Sequence, residues 1–131
     1  TTIIAHPERY RKVQENINII DSWLDRGYLL QMDCGSLLKH FGTKVYNTSK
    51  YILDKGSFHI IGSDAHNNRK RNFCLKDSYT EIERLINIEY VSHLKDNSIK
   101  LLKNRKISSS PFLIDKTKKS FLKKFFCKWN I

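Results

Sequence analysis

The chain has 131 residues, 40% hydrophobic and 11% aromatic, enough apolar material for one compact unit with a buried core and too much for a disordered chain. Its formal charge of +11 sits at one end: residues 1–96 carry 14 basic and 12 acidic residues, whereas residues 97–131 carry 10 basic residues and only Asp115. A body so balanced lacks the basic, aromatic-laced face of a nucleic-acid binder, and no apolar run reaches the roughly 20 residues of a membrane span, so neither nucleic acid nor an integral membrane anchor is expected.

Thr2–Ala5 reads as a short buried strand, already under way at the start of the chain, which suggests a sequence that begins inside a domain and carries no leader. His6-Pro7-Glu8-Arg9 follows, with Pro7 suited to the first turn of a helix. Ile17, Ile20, Trp23 and Leu24 recur at helical spacing until Gly27, and Tyr28–Asp33 predicts a second strand. Gly35-Ser36 opens a helical segment with Leu37 and Leu38 that breaks at Gly42. A further helix from about Lys44 ends at Gly56. Phe58–Gly62 is the third strand, followed by the polar run Ser63-Asp64-Ala65-His66-Asn67, and helical patterns cover about 78–87 and 89–104. Strands alternating with helices predict an α/β fold with parallel strands, whose functional side chains gather beyond the carboxyl ends of the strands.

His6 and Asp64 both fall at such strand ends. Asp64 and His66, two residues apart, project to one side if the backbone stays extended, and His6 supplies a third donor from a neighbouring strand. Mixed imidazole and carboxylate donors suit zinc, iron or manganese. An isolated Asp-x-His is commonly a capped loop with a solvated histidine; delivery of ligand-type residues to the same end of one sheet is what favours metal binding here. Arg9 and the group Arg69, Lys70 and Arg71 lie close to these residues in sequence, and a guanidinium can clamp a phosphate through two parallel hydrogen bonds. Cys34, Cys74 and Cys127 form no CxxC pair and read as thiols of a reducing compartment. The position six residues after Cys34 is His40 and that after Cys74 is Thr80, which excludes a cysteine-nucleophile phosphatase loop. The sequence has no phosphate-binding glycine loop, no GxSxG and no HExxH.

Three segments together, Ile4-Ala5-His6-Pro7-Glu8-Arg9-Tyr10, Gly35-Ser36-Leu37-Leu38-Lys39-His40-Phe41-Gly42 and Gly62-Ser63-Asp64-Ala65-His66-Asn67 with Arg71-Asn72-Phe73, resemble the PHP-type (polymerase and histidinol phosphatase) bacterial tyrosine-protein phosphatases of capsule and exopolysaccharide systems. The resemblance implies the C-terminal half of a distorted β/α barrel. It also implies a cluster of divalent metal ions, commonly manganese, and hydrolysis of phosphotyrosine on a membrane-associated tyrosine kinase by a cytoplasmic enzyme. Residue by residue, His6, Asp64 and His66 resemble metal ligands, and Arg9 and Arg71 resemble phosphate-contacting arginines. The family's first half, with its HxH motif and further ligands, has no counterpart in this chain. Three ligands cannot build a multinuclear site, so the fragment alone is expected to be inactive. His59, within a strand, is expected to serve packing.

Residues 1–107 read as the body and 108–131 as a basic amphipathic tail, in which Phe121/Phe125 and Leu122/Phe126/Trp129 stack at helical spacing among lysines. Such a tail suits an anionic membrane surface or a membrane-bound partner. Two other readings compete: a PHP phosphoesterase of a small molecule such as histidinol phosphate, and a non-catalytic truncated module that retains only docking.

Overall fold

The computed structural model describes residues 1–67, 69 and 73–114. The lysine- and aromatic-rich stretch 115–131, and with it most of the expected tail helix, lies outside the described residues.

Three parallel strands, β1 (Ile3–Ala5), β2 (Leu29–Asp33) and β3 (Ile60–Gly62), form one sheet in the order β1-β2-β3. Register pairs Ile3 with Leu29, Ala5 with Gln31, Gln31 with Ile60 and Asp33 with Gly62. Helices α1 (Arg11–Glu15) and α2 (Ile19–Asp25) link the first two strands; α3 (Cys34–Leu37) and α4 (Thr43–Asp54) link the second and third; α5 (Leu75–Leu85) and α6 (Ile88–Leu102) follow. The expected alternation of strand and helix is present. One expected helix is divided: Asn16 is extended at φ −140°, ψ 95°, and its side chain accepts the Asn18 N–H at 3.2 Å, a local turn that competes with helix continuation. Pro7 opens a single 3₁₀ turn over Pro7–Arg9 rather than a longer helix.

Strand alternation sorts the side chains onto two faces. Leu30, Met32 and Ile61 pack against Val13, Ile20, Ile52, Leu53, Ile82, Val91 and Leu94, so the helices cover one face and build the main core there. On the opposite face Leu29, Ile60 and Ile3 meet Ile107. A sheet with helices outside and a second apolar face within is the arrangement of a β/α barrel segment.

Gly56 shows how closely the chain after α6 packs on this body. It has φ +68°, and a Cβ there would collide with the carbonyl of Phe112, whose N–H bonds Gly56 O at 2.7 Å. Phe112 stacks on Tyr90 with ring centroids 5.0 Å apart, and Ile114 packs against the same core.

His59 is buried, as expected of a packing residue. Its Nδ1 accepts the Leu30 N–H at 3.0 Å, so the imidazole completes the hydrogen bonding of β2 at the end of the sheet away from the strand-end loops. Burial pushes its pKa below the ordinary value of 6.5.

A candidate metal and phosphate site at the strand ends

Because the strands are parallel and adjacent, their carboxyl ends open on one edge, and each delivers a polar residue to it. The chain leaves β1 at His6 in the left-handed conformation, φ 38° and ψ 52°, while the His6 N–H still bonds Gln31 O at 2.8 Å. That reversal turns the Pro7–Arg9 segment back across the end of β2. Past β3, Asp64 is also left-handed at φ 43°. Such backbone costs about 1–2 kcal/mol at a residue other than glycine, and strain of this kind gathers at functional sites.

Arg9 binds the second and third strand ends together. Its Nη1 donates to Asp33 Oδ2 and to Asp64 Oδ2, each at 3.0 Å, and its guanidinium carbon stands 4.3 Å from the centre of the Phe41 ring. The Asp33 side chain is 1% exposed, whereas those of Arg9 and Asp64 are each 28% exposed, so the cation joins a buried carboxylate to one facing the opening. Burial raises the Asp33 pKa, while the Gly35 N–H and the Arg9 charge act in the opposite sense. Its other oxygen, Oδ1, accepts the Gly35 N–H at 2.9 Å and caps α3.

Glu8, one residue before Arg9, points the other way and is fully buried. Its Oε1 accepts the Asp33 N–H at 3.0 Å and the Ser36 hydroxyl at 2.7 Å. Burial pushes its carboxyl up to about 7. Glu8 therefore fastens the backbone of the β2 end from inside, and Arg9 fastens its side chain from outside.

His66 is exposed, and its Nδ1 donates to the Asp64 carbonyl at 2.7 Å, because a carbonyl can only accept. That bond fixes the tautomer and leaves Nε2 as the ring nitrogen with a lone pair. His6 meets Tyr10 edge-on at 5.7 Å, and its buried Nδ1 has no hydrogen-bond partner among the described residues. An unpartnered imidazole nitrogen at one strand end, and a carboxylate with a second imidazole at another, are donor types that suit a divalent ion. The number of donors is short, since among the described residues no three His, Cys, Asp or Glu side chains gather around one point. Arg71 lies outside the described residues.

Two residues escaped the reading of the sequence. Asp33 ends a predicted strand, so the strand-end rule that selected Asp64 applied to it equally. Glu8 stood inside the HPER segment, but nothing in a lone sequence tells that its neighbour Arg9 faces the opening while Glu8 faces the core.

The sequence model for CpsB/CapC, capsular polysaccharide synthesis, matches residues 1–103. The tyrosine-protein phosphatase YwqE of Bacillus subtilis is 32% identical over 109 residues, which are 83% of this chain and 43% of YwqE. CapC of Staphylococcus aureus is 32% identical over 120 residues, 91% of this chain and 47% of CapC. The tyrosine-protein phosphatase CpsB of Streptococcus pneumoniae is 27% identical over 113 residues, 82% of this chain and 46% of CpsB. Crystallography of YwqE and of the pneumococcal CpsB, described as unique metal-dependent tyrosine phosphatases, gives a solved chain that superposes with a TM-score of 0.79 at 32% identity, covering 87% of this chain and 46% of that one. The chain spans less than half the length of these relatives, and its fold is that of the corresponding part of a PHP-type phosphatase.

Proposed function

From the premise that this chain belongs to the CpsB/CapC family, we propose that it supplies the second half of a metal-dependent phosphatase domain that hydrolyses phosphotyrosine on proteins. The observation that carries the reading is the juxtaposition at the strand ends. A carboxylate, Asp64, and an arginine, Arg9, sit 3.0 Å apart, beside an imidazole whose Nε2 is left for a ligand. In this reading His6, Asp64 and His66 hold divalent metal, manganese being the metal expected of the family, and Arg9 and Arg71 hold the phosphoryl group. Metal bound there would supply positive charge against the phosphoryl oxygens and acidify water. The residues of this chain orient the reaction. Asp33 and Asp64 engage both hydrogens of Arg9 Nη1, which leaves the rest of the guanidinium fork for phosphoryl oxygens. The donors missing from this chain are expected from the part of the relatives that it does not span.

The substrate proposed is a phosphotyrosine segment of a membrane-associated tyrosine kinase, met at the cytoplasmic face of the membrane. No helix among the described residues is long and apolar enough to cross a bilayer. The basic residues of 97–131 suit attachment to an anionic surface, each lysine adding about 1 kcal/mol at most. Loss of sedimentation with anionic vesicles on deleting 115–131 is the expected result, and unchanged sedimentation removes this part of the proposal.

The direct test uses protein expressed from its complete reading frame, assayed with manganese on a phosphotyrosine peptide and on histidinol phosphate. Peptide hydrolysis that disappears with chelation and falls about 100-fold or more in His66→Ala supports the reading. Preference for histidinol phosphate transfers it to a small-molecule phosphoesterase, and activity indifferent to both metal and His66 overturns it.

A further inference from the structure

Cys34 begins α3 immediately after Asp33, and Cys74 is the residue before α5, so the fold brings together sulfurs that lie 40 positions apart in sequence. The two sulfurs are 2.6 Å apart. Both cysteines are buried, Cys34 at 0% and Cys74 at 6% exposure. The Cys34 S–H also faces the carbonyl of Ser63 at 3.7 Å, next to Asp64. One thiol therefore adjoins both strand-end segments that Arg9 ties together, while the other starts the helix that follows them.

We propose that Cys34 and Cys74 form a redox modification site, in which a small hydroperoxide converts the two thiols reversibly into an intramolecular disulfide. Cys74, the more exposed, reacts first: its sulfur attacks a peroxide oxygen, the O–O bond breaks, and a sulfenic acid and one water form. The Cys34 sulfur then displaces the hydroxyl from that sulfur, giving the S–S bond and a second water. Together the thiols lose two electrons and two protons, and hydrogen peroxide is reduced to two waters. Burial and the neighbouring Cys74 push the Cys34 thiol up to about 12, so Cys34 is not the sulfur that a peroxide oxidises first. A dithiol reverses the modification by exchange. Oxidation consumes the Cys34 S–H, so the Ser63 carbonyl loses that donor and the Asp64 segment loses a tether.

The proposal does not depend on the phosphatase reading, and its test needs no substrate. Native protein from the complete reading frame is treated with hydrogen peroxide, unfolded in N-ethylmaleimide and digested without reductant. The expected result is loss of labelling at Cys34 and Cys74 together, with appearance of a peptide joining them that dithiothreitol removes. In the same samples the denaturant midpoint rises on oxidation and returns on reduction. Full labelling of both cysteines after peroxide, over-oxidation of one without linkage, or linkage of either to Cys127 overturns the proposal.

Discussion

Arg9 Nη1 lies 3.0 Å from Oδ2 of Asp33, a carboxylate with almost no exposure, which makes Asp33 the inner anchor of the arginine proposed to hold phosphate. Asp33→Asn keeps an oxygen to cap the Gly35 N–H but removes the charge that orients the guanidinium. The expected stability cost is about 1 kcal/mol, since Arg9 is partly solvated and retains Asp64. In the complete enzyme KM for a phosphotyrosine peptide should rise about tenfold, with kcat changing much less, because the lost orientation weakens substrate binding. Steady-state kinetics with equal metal loading check this; an unchanged KM removes Asp33 from the positioning of Arg9.

Glu8 makes a sharper structural prediction. Alanine there would strand the buried Asp33 N–H and Ser36 hydroxyl and open a small cavity, a loss of about 3 kcal/mol. Glu8→Gln keeps the accepting oxygen and should cost less than about 1 kcal/mol. Urea denaturation of the two variants separates these outcomes, and equal losses would mean that the carboxyl group, rather than its accepting oxygen, holds the end of β2.

The architecture was legible in the sequence to the extent that short-range signals govern it. Gly27 and Gly56 adopt positive φ at the ends of helical patterns, and each apolar run next to a polar strand end became a parallel strand. His6, Arg9, Asp64 and His66 were singled out because motif and strand-end position agreed. Asp33 met the same strand-end rule and was passed over, whereas the inward role of Glu8 arises from a left-handed turn at His6 that folds one strand end over the next, and the φ of a single histidine has no sequence signature. The Cys34–Cys74 approach was hidden for the same reason: 40 residues separate the partners, and neither lies in a recognisable pair motif.

His59 predicts a pH dependence of stability that is separate from the strand ends. Its pKa is lowered in the fold, chiefly by burial, with the charge of His93 acting in the same direction. The unfolded chain therefore binds the proton more readily. The contribution of His59 to stability should be constant well above the ordinary imidazole value of 6.5 and should fall as pH drops through it toward the lowered folded value, while Glu8, raised to about 7, acts in the opposite sense over the same range. His93, also lowered chiefly by burial, acts in the same window. His59→Asn offers an oxygen near the place of Nδ1 for the Leu30 N–H and does not titrate. Relative to the parent, this variant should gain stability as pH falls from 8 to 5, read from denaturant midpoints, and a pH dependence identical to that of the parent would assign the effect to other groups.

In the segment after α6, Phe112 stacks on Tyr90 at 5.0 Å, lies 4.8 Å from His93 and donates its N–H to Gly56. Those contacts tie 108–114 to the loop before β3, and through it to the strand that ends at Asp64. Ending the protein after Ile107 rather than after Ile114 should cost about 2–3 kcal/mol, a half-buried aromatic and a backbone hydrogen bond being lost together. Gly56→Ala should mimic the shorter truncation, since a methyl group at φ +68° would meet the Phe112 carbonyl and force the segment off. Urea denaturation of the three variants tests this directly: equal midpoints for the two truncations would return 108–114 to the tail, whereas a loss shared by the shorter truncation and Gly56→Ala would make Phe112 an anchor of the folded body.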